Sequence, residues 1–143
     1  MNPSKPTNIP VLIIDQNQHK ICLQQKSTRV EVRMSPLCKA LYFLFLKHPQ
    51  GITLYDLHTY EKDLMLIYKR ISRRNDFEAM KKSIHNLVDR SENSFHEKCA
   101  RIKATFKKVV PLELVDLYYI KGERGGEKKI HLPNTQIIYT QCT

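Results

Sequence analysis

The chain has 143 residues, 41% of them hydrophobic and 27% charged, the balance of one folded domain rather than a disordered tail. Its 24 Lys and Arg against 14 Asp and Glu give a formal net charge of +10. That excess points to a polyanionic partner, nucleic acid first and an anionic membrane surface second. No apolar run approaches the roughly 18 residues a spanning helix needs, and the first ten residues lack a signal-peptide core, so the expectation is a cytoplasmic protein without a membrane partner.

In chain order, residues 1–10 carry three prolines among polar residues and read as a flexible tail. Residues 11–14 (VLII) and 20–23 (KICL) read as strands joined by a turn at 15–18. Arg29, Val30, Glu31, Val32 and Arg33 alternate with period two, a third strand with one wet face. Together they predict a small antiparallel sheet whose role is packing.

Ser35 and Pro36 then open a helix as N-cap and first helical residue. Leu37, Ala40, Leu41, Leu44 and Phe45 form a broad apolar face, and Tyr42, Phe43 and Leu46 leave little of the helix polar, so it is expected to be buried. It ends at His48-Pro49, with Gly51 completing the turn. Thr53 is the expected cap of a second helical stretch through Leu54, Leu57, Leu64, Ile67, Tyr68 and Ile71, and the spacing leaves open whether this is one helix or two. The cations at 69–74 read equally as a backbone-binding patch or a solvated end. Asp76 caps the next helix, with Phe77, Met80, Ile84, Leu87 and Val88 as its stripe.

The densest signal lies in residues 94–132. Phe95, Cys99, Ile102, Phe106 and Val109 recur at steps of four and three, an amphipathic helix. Asn93 or Ser94 is the expected N-cap, Ser94 and Glu97 offer a capping box, and Pro111 is the expected stop. Lys98, Arg101, Lys107 and Lys108 fall mostly off the stripe, with Lys103 beside it. Leu117, Tyr118, Tyr119 and Ile120 read as a strand, Gly125-Gly126 as a turn, and residues 129–132 as the returning strand. The chain has only four glycines, which makes that pair informative. Residues 136–139 (QIIY) read as a final strand or an ordered tail, within a segment 134–143 beyond the main domain.

The order of sheet, buried helix, further helices, basic helix and hairpin resembles the winged-helix effector domain of OmpR-type bacterial response regulators. Met34-Ser35-Pro36 stands where that family has L-T/S-P, Lys47-His48-Pro49 where it has HPG, and Leu54-Tyr55-Asp56-Leu57 where it has a short capped helix. ARIKATF at 100–106 is similar to the family's SRLRKKL, with Arg101 and Lys103 at the arginine positions and Ile102 and Phe106 at the core leucines. Tyr119-Ile120-Lys121-Gly122 and residues 128–132 (KKIHL) are similar to the wing T-V-R-G-V-G-Y-R-L. The resemblance covers residues 11–133. It implies an α+β fold: a winged helix-turn-helix with a small N-terminal antiparallel sheet, a helical core and a C-terminal β-hairpin wing. Two differences stand out: Glu123 and Glu127 in the wing, and a longer connection over 61–93 that inserts a helix. No receiver domain is expected.

The implied function is sequence-specific binding of double-stranded DNA by a bacterial transcriptional regulator. The recognition helix would enter the major groove and present His96, Glu97, Lys98 and Arg101 to base edges, with Arg101 suited to guanine. Lys103, Lys107, Lys108, Lys121, Arg124, Lys128 and Lys129 would contact phosphates, which position without specifying. The alternative is a winged-helix protein–protein interaction module that does not bind DNA, and the aromatic-rich helix at 35–47 would support a homodimer. No metal-ligand spacing joins Cys22, Cys38, Cys99 and Cys142. No catalytic motif or paired carboxylate is present either, so neither cofactor nor enzyme activity is expected.

Overall fold

In the computed structural model, which describes residues 9–141, the alternating start of the chain becomes a sheet. Strands β1 (Val11–Asp15), β2 (Lys20–Gln25) and β3 (Thr28–Glu31) run antiparallel. The turn between the first two is held by Asp15, whose Oδ1 accepts the N–H groups of Asn17 and Gln18 at 3.0 Å each. Leu12, Ile14, Ile21 and Leu23 bury the face that packs into the core.

Helix α1 (Pro36–Leu46) starts as expected, with the Ser35 hydroxyl accepting the Cys38 N–H and Pro36 in the first turn. Cys38, Ala40, Leu41, Tyr42, Leu44 and Phe45 are all buried. Gly51, at φ +97°, turns the chain into strand β4 (Ile52–Thr53). Thr53 therefore sits in a strand and caps no α-helix, although its Oγ1 accepts the Asp56 N–H at 3.1 Å. A 3-10 turn over Leu57–Tyr60 runs on into α2 (Glu61–Ile71), so the second helical stretch is one α-helix with a tightened entry.

Asp76 caps α3 (Phe77–Val88) by accepting the Ala79 N–H at 3.2 Å. Met80, Ile84, Leu87 and Val88 are buried, but Phe77 is 51% exposed. Its ring instead carries the Lys69 ammonium at 4.9 Å from the centroid. Helix α4 (Ser94–Lys107) buries Phe95, Ile102 and Phe106. No side chain caps its first turn, so the capping box of Ser94 and Glu97 does not form; the Glu97 N–H bonds the Asn93 carbonyl at 3.0 Å.

The segment after α4 departs most from expectation. Leu117 and Tyr118 belong to a short helix, α5 (Val115–Tyr118), entered through a 3-10 turn at Leu112–Leu114. The strand that follows, β5, is only Ile120–Lys121, and its partner β6 spans Glu127–Ile130. Tertiary packing overrides the strand propensity of Leu-Tyr-Tyr-Ile here, because the Tyr118 side chain is drawn into the core. Strand β6 lies between β5 and β4 in a second, three-stranded sheet. The chain closes with β7 (Ile137–Thr140), parallel to β1 and completing the order β3-β2-β1-β7. Residues 1–8, most of the expected tail, lie outside the described residues; Pro10 is buried. The described residues thus form an α+β architecture of five α-helices and seven strands in two sheets.

At the centre sits an aromatic cluster from three helices. Phe106 lies between Tyr42 at 5.5 Å and Tyr118 at 5.4 Å, the second pair stacked. The Tyr42 hydroxyl donates to the Tyr118 carbonyl at 2.6 Å, and the Tyr118 hydroxyl donates to the carbonyl of Pro10. Both rings are fully buried, so each hydroxyl needs its partner. Tyr118→Phe would leave the Pro10 carbonyl unpaired and is expected to cost about 1–3 kcal/mol in urea unfolding.

Burial pushes Tyr42 well above the usual phenol range, raises Tyr118, and moves the Cys99 thiol from 9.0 to about 12. The folded state therefore holds these protons after the unfolded chain has released them, so the unfolded state binds fewer protons and stability falls as pH rises. The expected outcome is a stability plateau below the unfolded thiol value of 9.0 and a progressive loss as pH climbs toward 12, read by urea titrations across that window.

Candidate nucleic-acid interface

The apolar stripe of α4 fixes what its opposite face presents. At about 100° per residue, Phe95, Ile102 and Phe106 point into the core, and His96, Glu97, Ala100, Arg101, Ala104, Lys107 and Lys108 lie exposed on the other side. Among the described residues, Arg101, Lys107 and Lys108 take part in no ion pair. Ala100 and Ala104 lie between the cations, leaving a low ridge over which an extended surface can approach the helix backbone closely. These two alanines carry no charge signal; their importance appears only once the buried stripe is known.

Two expected α4 contacts sit elsewhere. Lys98 lies four residues before buried Ile102, on the margin of the apolar stripe, and is half-buried. Its backbone carbonyl faces the Cys38 thiol at 3.9 Å. Lys103, on the other margin, holds its ammonium 5.1 Å from the Tyr119 ring centre, a cation–π contact that draws it toward β5. Of the four residues expected at base edges, His96, Glu97 and Arg101 thus share the exposed arc and Lys98 borders it.

The hairpin divides its cations sharply. Lys128 is buried, 8% exposed, and its Nζ donates to the carbonyls of Gly122 at 3.0 Å and Glu123 at 2.7 Å. The ammonium closes the hairpin from inside, which corrects its expected role as a phosphate contact. Lys121 and Lys129 are register partners and share the other face of the sheet. Like charges directly opposite repel, and Asp116 offsets this by pairing with Lys121 at 3.2 Å. Arg124 is exposed in the tip, where the Gly126 N–H bonds the Glu123 carbonyl at 3.0 Å and Gly125 takes φ +81°. Glu127 is exposed opposite Thr53 of β4, and the Glu123 carbonyl anchors the tip.

The fold also brings in a cation outside the expected contact residues. Arg90, between α3 and α4, stacks its guanidinium 4.9 Å over the Tyr55 ring. Tyr55, Arg90, Ser91 and the tip glycines Gly125 and Gly126 line one open cleft of about 520 Å³. Arg90 also shares a small cleft with His96, so the hairpin tip, the α3–α4 turn and the start of α4 border one continuous surface.

No described helix is long and apolar enough to cross a membrane. No family model matches the chain, and neither the curated proteins nor the solved structures give a significant match.

The hairpin's placement depends on close backbone approach at Gly122, where an added Cβ would lie 2.1 Å from the Glu127 carbonyl oxygen. At Gly126 the nearest atom would be 3.6 Å away. Gly122→Ala is expected to lower the thermal midpoint by roughly 5 °C or more, the size of a ~2 kcal/mol backbone clash, while Gly126→Ala stays close to the parent chain in the same melt.

Proposed function

We propose that the chain is a double-stranded DNA-binding protein of winged-helix type, acting as a sequence-specific transcriptional regulator. The observation that carries the reading is the exposed arc of α4, where Arg101, Lys107 and Lys108 make no ion pair among the described residues and surround Ala100 and Ala104. A helix of that profile suits the major groove, with its N-terminal half toward base edges. In this reading His96, Glu97 and Arg101 face the bases and Lys107, Lys108, Arg124 and Lys129 face phosphates. Arg90 joins the phosphate set. The Arg101 guanidinium matches the paired acceptors of guanine, and Glu97 is suited to the amino group of cytosine.

The net charge of +10 supports association with a polyanion but carries no sequence information. Specificity would rest on the three base-facing side chains. A protein-interaction role for the same surface is the alternative, and Glu97 beside Arg101 is the feature that favours it.

Binding to duplex DNA is expected to weaken with salt at a slope of about −0.9 per neutralised phosphate. Replacing Lys107 and Lys108 with Gln should reduce that slope by about 2, whereas Arg101→Ala should relax preference at one base position by about 1–3 kcal/mol. Fluorescence anisotropy over a salt series, with duplexes selected from a random pool, measures both. Absence of salt-dependent binding to any duplex near physiological ionic strength would reject the reading.

A further inference from the structure

A second cationic feature lies away from α4, where the N-terminal sheet meets α1 and α2. A cavity of about 180 Å³ opens there, with Ile14, Phe43, Leu46 and Ile67 as its apolar wall. Its polar lining contains His19, Lys47 and Arg70 and no Asp or Glu. Neither Lys47 nor Arg70 takes part in an ion pair among the described residues. The nearby Asp15 accepts two turn N–H groups on Oδ1 and partly offsets the positive charge felt by His19.

A hairpin turn forms the mouth. His19 adopts φ +56°, the left-handed conformation that Lys26 also takes in the next hairpin turn, and the tight turn requires it. That turn places the imidazole against Phe43, with ring centroids 6.4 Å apart. Burial and then the positive charges of Lys39 and Arg70 lower the His19 pKa, with Asp15 opposing them, so the charged form of the ring is disfavoured. The Tyr139 side chain of β7 completes the lining.

We propose that this cavity is a binding site for a small apolar carboxylate, an aromatic or short acyl acid, held by Arg70 and Lys47 with its hydrocarbon against Phe43, Leu46 and Ile67. An apolar wall with a few convergent polar groups is the usual make-up of a small-molecule site. A guanidinium at the rim matches the two oxygens of a carboxylate. The volume suits one ring with a substituent, since a dry cavity of ~150 Å³ admits benzene. Lys47 and Arg70, which make no ion pair among the described residues, stand at an apolar wall and favour a ligand with both properties; a neutral hydrocarbon would leave the cations unmatched, and a simple anion would leave the wall exposed.

The test uses the full chain without DNA, so its outcome is independent of the DNA reading. Benzoate, benzyl alcohol and acetate are titrated to about 10 mM, a range that captures even weak single-site affinity, while NMR follows the signals of His19, Phe43 and Tyr139. Benzoate is expected to give saturable shifts at these residues, with benzyl alcohol and acetate at least tenfold weaker. The double variant Lys47→Gln/Arg70→Gln should weaken benzoate at least tenfold, and Lys82→Gln, on exposed α3, should not. The proposal is overturned if benzoate gives no saturable shifts there, if benzyl alcohol or acetate binds as well, or if the double variant binds benzoate like the parent. The comparison of the three probes on the parent chain decides the matter even if the double variant folds poorly.

Discussion

The hydrogen-bond chain from Tyr42 to Tyr118 to Pro10, wrapped around Phe106, is the constraint on which the rest of the fold depends. It joins the lead-in to β1, helix α1, helix α4 and helix α5 in one buried cluster. A phenol hydroxyl in an apolar interior is costly without a partner, so each tyrosine admits few alternative placements. The cluster therefore sets the orientation of α4 as well as filling space. With Phe106 fixed between two rings, the face bearing Arg101, Lys107 and Lys108 has to point outward.

The hairpin is positioned by a different device, close backbone contact closed by an internal cation. Gly51 and Gly122 both lie where a Cβ would collide with β6, so the α1–β4 turn and the hairpin bend press directly on that strand. Lys128 then bridges the bend with two hydrogen bonds to carbonyls. Hydrogen bonds to a charged donor are stronger than neutral ones, and the buried ammonium has no carboxylate competing for it among the described residues. One of the chain's lysines thus serves its own fold, and a count of charges overstates the surface available to a partner.

Much of this was legible in the chain. Ser35-Pro36 marked the start of α1, Asp76 the start of α3, and the spacing of Phe95, Ile102 and Phe106 the buried side of α4. These signals are local, and local chemistry decides them. The cap signals at Thr53 and Ser94 were local and still failed, whereas Tyr118, Lys128 and Arg90 have the opposite property. Tyr118 lies in a run rich in strand formers, yet its partners are Phe106, Tyr42 and Pro10, distant in sequence, and the helix they impose could not be read from its neighbours. Lys128 looked like its neighbour Lys129, because inward and outward positions depend on which strands flank β6. Arg90 was hidden for a similar reason: its relation to Tyr55 and to the hairpin tip exists only after the turn between α3 and α4 is placed.

Helix α1 shows why an almost entirely apolar helix is useful here. One stripe, Cys38, Tyr42 and Phe45, faces α4 through the Lys98 carbonyl, Phe106 and Phe95. The next, Phe43, Leu46 and Lys47, borders the cavity with Arg70. The same rigid element therefore separates the two cationic features. A ligand in the cavity could alter the α4 surface only by favouring one of two arrangements of α1 over the other. A helix closely packed on both sides resists continuous displacement. Unless α1 has a second discrete packing, the two features act independently, each set by its own stripe of one helix.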